Sequence, residues 1–371
     1  MNKSDTTRNA YITSSALSKR GYQRWWHSFT GIQPDTGEER VFFIEYFIVN
    51  PALDKGEPVL GQLPYNKKRG IPPSYVMIKA GAFGADAKQL HAYYSASKLR
   101  TATQPFVLAV EDNFYSENHI YGYVEVNYQD SRRKSFMCDE GYMEWDLEVY
   151  KELACHTGHI SNPLFCAMNT MKTFWHAEGM KTYYRGTVIL DGVLYKVTAD
   201  NCYGYADKHW GRNFNYPWLQ FTSSCLISEK NGRALKQTAL AITSCCPKFL
   251  CFPLKKKLLF QLTYQGEDYN FFFSSRGLRR RMKWNIKASS KRIIWRLVSQ
   301  DKDIVIKLTG SFLRENMLTL HYEDPGGCRP VSPLLADGNG QGKLLIYRKT
   351  SAGKQPIDTL TIEKAFCIYG E

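Results

Sequence analysis

The chain has 371 residues, 43% of them hydrophobic and 14% aromatic, which is enough to bury a substantial interior and excludes a disordered polymer. Its formal net charge of +14 is dispersed in short runs such as Lys67-Lys68-Arg69, Arg132-Arg133-Lys134, Lys255-Lys256-Lys257 and Arg279-Arg280-Arg281. Without a basic tail or a recognition-helix pattern, that charge argues against nucleic acid as a partner and reads first as a solvated, solubilising surface, with peripheral contact with anionic lipid headgroups as the alternative.

The length suits two domains. Ten Cys are present, two of them adjacent as Cys245-Cys246, with no Cys-x-x-Cys pair, no apolar leader and no run long enough for a membrane helix. Reduced thiols and a cytoplasmic location are therefore expected, with no metal site and no cofactor.

Met1 to Arg20 reads as a frayed tail. Trp25 to Phe29 opens the first strand, Asp35-Thr36-Gly37 is a turn, and Val41 to Val49 is a nearly unbroken apolar strand whose one acid, Glu45, is expected to face solvent. Prolines from Pro51 to Pro73 mark an irregular connection, and Tyr75 to Ala80 is another strand. Leu90, Tyr93, Tyr94 and Leu99 give Ala85 to Arg100 a helical spacing. Phe106 to Val110 and Ile120 to Tyr128 return to strands, and a short helix is expected over Pro163 to Phe174.

The hairpin signals are clearer. Thr187 to Leu190 and Val193 to Val197 flank Asp191-Gly192, the composition of a tight primed turn. Leu258 to Phe273 and Ile293 to Leu308 read as two more hairpins. Leu318 to Tyr322, Leu344 to Tyr347 and Thr359 to Glu363 are further strands. Gly338, Gly340 and Gly342 miss both nucleotide-binding spacings and read as a flexible turn. Short strands at turn-marked spacing across both halves indicate an all-β fold of sandwiches or barrels.

Chemistry concentrates in Tyr203 to Gly211, continuing through Asn213 to Gln220. Asp207, Lys208 and His209 lie there among Tyr205, Trp210 and Trp218. Trp175, His176, Glu178 and Tyr183 come just upstream. Aromatic surroundings desolvate an acid or an imidazole and give an apolar guest somewhere to lie. Neither Gly-x-Ser-x-Gly nor His-Glu-x-x-His occurs, and His156-x-x-His159 has no third ligand nearby. Lys208 is expected to pair with a carboxylate.

Trp175-His176, the Gly186 to Gly192 hairpin, Tyr205-Ala206-Asp207-Lys208-His209-Trp210-Gly211, and Phe214 to Gln220 together resemble the central block of the tocopherol cyclase family. Gly21 to Trp26, Phe43 to Pro51, Gly342 to Tyr347 and Ala365 to Gly370 resemble flanking blocks. The family's Glu is Asp207 here, its Asn is His209, and its Phe-Pro is interrupted by Asn215-Tyr216. The resemblance implies two lipocalin-like β-barrels, expected over 21–198 and 199–371. It also implies cofactor-free cyclisation of a prenylated or polyene substrate in an apolar pocket between them. Asp207 or His209 would be the acid, with His176 or Tyr183 as relay, and Trp26, Trp175, Tyr205, Trp210, Trp218 and Gln220 would hold the isoprenoid. A hydratase, or a non-catalytic lipid binder, are the alternatives.

Overall fold

A computed structural model describes residues 8–155, 173–200, 202–214, 217–245, 248–249, 252–253, 257–271, 281–327 and 332–370. The fold is all-β, with two large antiparallel sheets, each curled into a barrel-like body, and, among the described residues, the short helices α1 (Ser15–Lys19), α2 (Pro64–Arg69) and α3 (Tyr128–Ser131).

The first sheet comprises β1 (Tyr22–Ile32), β2 (Glu39–Val49), β3 (Tyr75–Ala82), β4 (Lys88–Tyr94), β5 (Leu99–Thr103), β6 (Phe106–Val110), β7 (Asn113–Ser116), β8 (His119–Val126), β9 (Gly141–Leu153), β10 (Thr173–Leu190), β11 (Val193–Val197) and β12 (Gly204–Gly211). Its order is β4-β3-β2-β1-β11-β10-β9-β8-β7-β6-β5, with β12 paired to both β1 and β10, and β4 packs back against β8 to curl the sheet.

The second sheet comprises β13 (Trp218–Ser223), β14 (Cys225–Ser228), β15 (Arg233–Ala234) and β16 (Ala239–Cys245), followed, after a separate ribbon of β17 (Lys248–Phe249) and β18 (Phe252–Pro253), by β19 (Lys257–Tyr264), β20 (Glu267–Phe271), β21 (Arg281–Ala288), β22 (Arg292–Gln300), β23 (Ile304–Leu313), β24 (Leu318–Leu320), β25 (Leu334–Thr350) and β26 (Gly353–Gly370).

The two sheets bury three apolar clusters: one inside each body and one in the seam between them. This explains why β1, β2 and β3 are buried along nearly their whole length. Side chains alternate across a strand. Trp25, Phe29, Phe42, Ile44, Val76 and Ile78 fill the first interior. Tyr22, Trp26, Phe43, Phe47, Tyr75 and Met77 face the second sheet. A strand buried on both faces reads as a continuous apolar run, as Val41 to Val49 does.

Several sequence expectations hold. The Asp191-Gly192 turn has φ of 48° and 83°, the left-handed pair a primed hairpin demands, and Gln265-Gly266 repeats it at 50° and 85°. The strand expected at Ile120 is β8, where buried and exposed residues alternate from Ile120 to Val126.

Others change. Ala85 to Arg100 is not a helix: β4 pairs with β3 from Lys88 to Tyr94, and only Ala96–Lys98 makes a 3-10 turn. Residues 338–342 are not a turn but part of β25. A Cβ on Gly340 would sit 2.0 Å from the Phe312 ring, so glycine is needed there for close approach. Residues 8–20 are not frayed; Asn9 and Ala10 are buried against β1, β10 and β12. Strand β12 completes the first sheet, so that sheet runs to Gly211, past the expected limit at 198. The Pro163 to Phe174 helix and the His156/His159 pair lie largely outside the described residues, and the two residues described, Thr173 and Phe174, begin β10.

Candidate functional site

Strand register assembles the site. Asp207 on β12 lies opposite Trp26 on β1, Trp26 opposite Glu45 on β2, and Glu45 opposite Lys79 on β3. One pleat along, His209 lies opposite Arg24, which lies opposite Phe47. The period of two sends all of these side chains to the seam. The second sheet answers with Trp218 and Gln220 from β13, Phe366 from β26, and Tyr322 just after β24.

The result is a buried chain of charges. Arg24 Nε is 3.0 Å from Glu45 Oε1 and its Nη1 is 3.4 Å from Asp207 Oδ1, all three side chains having no solvent exposure. Lys79 Nζ is 3.6 Å from Glu45 Oε2 and donates to the His321 carbonyl at 3.0 Å. Tyr322 donates to Glu45 Oε2 at 2.9 Å. The Arg24 guanidinium lies 4.5 Å from the Trp26 ring and 5.5 Å from that of Trp218. Burial opposes charge on Arg24, but Tyr322, Glu45 and Asp207 outweigh it and raise its pKa. For Lys79 burial prevails over Glu45 and brings the ammonium down to about 8.

Asp207 is the most heavily solvated carboxylate of the seam, with protein groups as the solvent. Its Oδ2 accepts from Gln220 Nε2 at 2.6 Å, from the Tyr205 hydroxyl at 2.8 Å and from Trp175 Nε1 at 3.1 Å. Burial alone would raise its pKa. His209, Arg24 and Tyr205 more than offset that and hold it at about 2. Asp207 is therefore an anion at neutral pH, an acceptor rather than a proton donor.

His209 stands beside it, Nε2 3.6 Å from Asp207 Oδ2, beyond hydrogen-bond length. Neither ring nitrogen has a hydrogen-bond partner among the described residues. The imidazole rests on Trp218, centroids 4.8 Å apart, and burial lowers its pKa despite the opposing pull of Asp207. Four more buried polar atoms nearby lack a partner among the described residues: Arg24 Nη2, Trp26 Nε1, Trp218 Nε1 and Gln220 Oε1. Unpaired buried polar atoms are uncommon, and six of them, two on His209, gather here.

The sequence-predicted residues divide. Asp207, His209, Trp175, Tyr205, Trp218, Gln220 and Trp26 meet at the seam. His176 does not: it lies on the other face of β10, its Nδ1 2.9 Å from Asn9 Oδ1. Trp210 also points away, stacked on Phe174 at 5.6 Å. Tyr183 is on the outer surface, donating to Glu152 at 3.0 Å and lining an open hollow of about 810 Å³ with His119, Asp146, Tyr150 and Arg185. Its place on β10 explains this, because Gly179 and Thr182 sit at register shifts that reset the alternation.

Lys208 has no carboxylate partner among the described residues. Its Nζ donates to the Ala10 carbonyl between the rings of Trp25 and Trp210, 4.6 and 5.1 Å away, and burial lowers its pKa to about 7. Glu45, expected in solvent, is fully buried and paired. Arg24, Lys79 and Tyr322 were not singled out from the sequence. The available signal was a charge inside a strand otherwise apolar on both faces, which the fold must neutralise.

No protein-family model matches the chain, and no curated protein matches it by sequence. Two solved structures are similar in fold across nearly its whole length. A Nitrosomonas europaea protein provisionally assigned as AttH is 11% identical, covering 98% of this chain and 97% of its own, with a TM-score of 0.44. Kievitone hydratase from Nectria haematococca is 12% identical over 98% of this chain and 94% of its own, with a TM-score of 0.42.

Proposed function

We propose that the chain is a cofactor-free enzyme that adds an O–H bond across an alkene of an apolar substrate at the seam, closing a ring when the hydroxyl belongs to the substrate. The observation that carries this reading is the pairing of an ionised Asp207 with a neutral His209 whose ring nitrogens are both unengaged among the described residues, inside a box of indoles. His209 carries the proton. It takes one from the nucleophilic hydroxyl, and Asp207 stabilises the imidazolium without being protonated itself, so Asp207 is a counter-charge and not the acid. The imidazolium then delivers that proton to one alkene carbon, the other carbon takes on cationic character that the π faces of Trp26, Trp175 and Trp218 stabilise, and the deprotonated oxygen bonds to it, which leaves His209 neutral again.

Trp26, Asp207, Gln220 and Trp218 are each no more than 2% exposed, so substrate entry requires the sheets to part where Trp26 meets Phe366 and His209 meets Trp218. The sequence resemblance supports the isoprenoid class of substrate.

The test starts from the apolar molecules extracted with the purified protein, followed by incubation with prenylated phenols and polyenes. Ring closure gives an isomer of unchanged mass, and hydration gives a product heavier by one water. His209→Gln is expected to abolish either product while still retaining the bound lipid. Normal turnover by His209→Gln would refute the assignment. Retention of an unaltered lipid by the wild type, with no product from any substrate, would leave a binding protein.

A further inference from the structure

Two groups of adjacent strands carry outer faces of opposite charge. The strand segments 282–288, 292–300, 304–313 and 338–350 of the second sheet contain no Asp or Glu. Their alternation turns Lys283, Lys287, Arg292, Arg296, Lys307 and Lys343 outward, all exposed. Register brings them together: Asn285, Arg296, Thr309 and Lys343 form one row across the sheet, and Lys283, Val298, Lys307 and Leu345 the next. Among the described residues only Lys343 of these six has an acidic partner, Glu229 at 2.8 Å in the turn after β14. Apolar side chains are interleaved, with Val298 37% and Leu313 36% exposed. On the first sheet the pattern is inverted. Segments 119–126 and 141–150 contain no Lys or Arg, and their outer face carries Glu125, Glu144, Asp146 and Glu148 beside Tyr121 and Tyr123.

We infer that the outer face of β21, β22, β23 and β25 docks on an anionic lipid bilayer, with the acidic face of the first sheet kept off it. Attraction to an anionic leaflet adds per basic residue, and aliphatic side chains among the cations settle at headgroup level. A nucleic-acid groove would need rings free to stack on bases. The aromatic residue of this face, Tyr347, is half-buried with Lys307 Nζ 5.4 Å over its ring, whereas the exposed tyrosines Tyr121 and Tyr123 lie on the acidic face. This inference stands apart from the catalytic reading, since none of its residues is at the seam.

The experiment is sedimentation of the full chain with phosphatidylcholine vesicles, with and without about 30% phosphatidylserine, from about 0.05 to 0.5 M salt. Binding is expected only to the anionic vesicles and is lost at high salt. The variant Lys283→Gln/Arg292→Gln/Arg296→Gln/Lys307→Gln is expected to bind at least roughly a hundredfold more weakly, at about fivefold per cation. Lys67→Gln/Lys68→Gln/Arg69→Gln/Arg100→Gln removes the same charge from exposed positions on the first body and is expected to stay within about threefold of wild type. Equal losses in the two variants would overturn the inference, as would no wild-type binding at low salt, or tighter binding to single-stranded RNA than to vesicles. If the first variant misfolds by circular dichroism, Lys283→Gln/Lys307→Gln is read instead, with roughly a twenty-fold loss expected and an unchanged affinity overturning the inference.

Discussion

Asp207 and Lys208 are neighbours on β12, yet they enter different environments. On the seam face, Asp207 meets Arg24, Tyr205, Trp175 and Gln220, and its charge is favoured. On the inner face, Lys208 meets a backbone carbonyl and two indoles, and its charge is disfavoured. Deeper in the same interior, Glu178 is fully satisfied by Lys151 at 2.9 Å and the Tyr115 hydroxyl at 2.6 Å, while burial lowers His27 to about 4. The seam therefore stabilises an anion beside an unengaged imidazole. The first interior instead pairs its carboxylate and packs residues 8–12 of the chain against itself, although His27 Nε2 and Trp145 Nε1 stay without a partner among the described residues. Burial alone does not make a reaction centre. What distinguishes the seam is an ionised carboxylate beside an imidazole with both nitrogens unpaired among the described residues.

The largest expected effect comes from breaking the seam's charge balance. Arg24→Met strands Glu45 and Asp207 without their shared cation and should cost about 3–5 kcal/mol in urea denaturation. Replacing all three by Met and Leu should recover most of that loss, because well-packed apolar residues are often neutral replacements for a buried ion cluster. If the single variant is as stable as wild type, the charges do not depend on one another.

Lys208→Met sharpens the contrast from the other face and should raise stability at neutral pH by about 1–3 kcal/mol. Its pH dependence carries a definite sign. The folded pKa of Lys208 is about 7 against 10.5 for the free side chain, so over that interval the unfolded chain holds more protons and wild-type stability climbs with pH. The variant should lose that climb between pH 7 and 8, below the value of about 8 at which Lys79 begins to contribute. Denaturation midpoints across this range check it.

Asn9→Ala removes one acceptor from His176 and should cost about 1 kcal/mol, with amide exchange rising at residues 8–12. The smallest stability change is expected for His209→Gln, within about 1 kcal/mol, since no hydrogen bond of the imidazole is lost. The same variant should have the largest effect on turnover, and that opposition is the signature of a functional group.

Much of the fold was legible. Asp191-Gly192 dictated its hairpin through backbone geometry, and the alternation in 119–126 dictated which face of β8 is buried. The central block was legible too, because Trp175, Tyr205, Asp207, His209, Trp218 and Gln220 are close in sequence and share the seam. Arg24 and Tyr322 were not, because the contact from Arg24 to Asp207 spans 183 residues and that from Tyr322 to Glu45 spans 277. No local pattern encodes such pairs. Ala85 to Arg100 misled for a related reason: its helical spacing is weak, and pairing of β4 with β3 outweighs it. His176 and Tyr183 were grouped with the site by proximity in sequence, but strand alternation and the irregular register near Gly179 carry them to other surfaces.

The claim on which the account rests is that His209 is neutral at pH 7 and electrostatically tied to an ionised Asp207. Nitrogen-15 NMR of the His209 imidazole, titrated from about pH 4 to 8 in wild type and Asp207→Asn, measures this directly. The account predicts a wild-type midpoint below 6.5 that falls further once the counter-charge is removed. A midpoint above 6.5, or one that Asp207→Asn leaves unmoved, would contradict it.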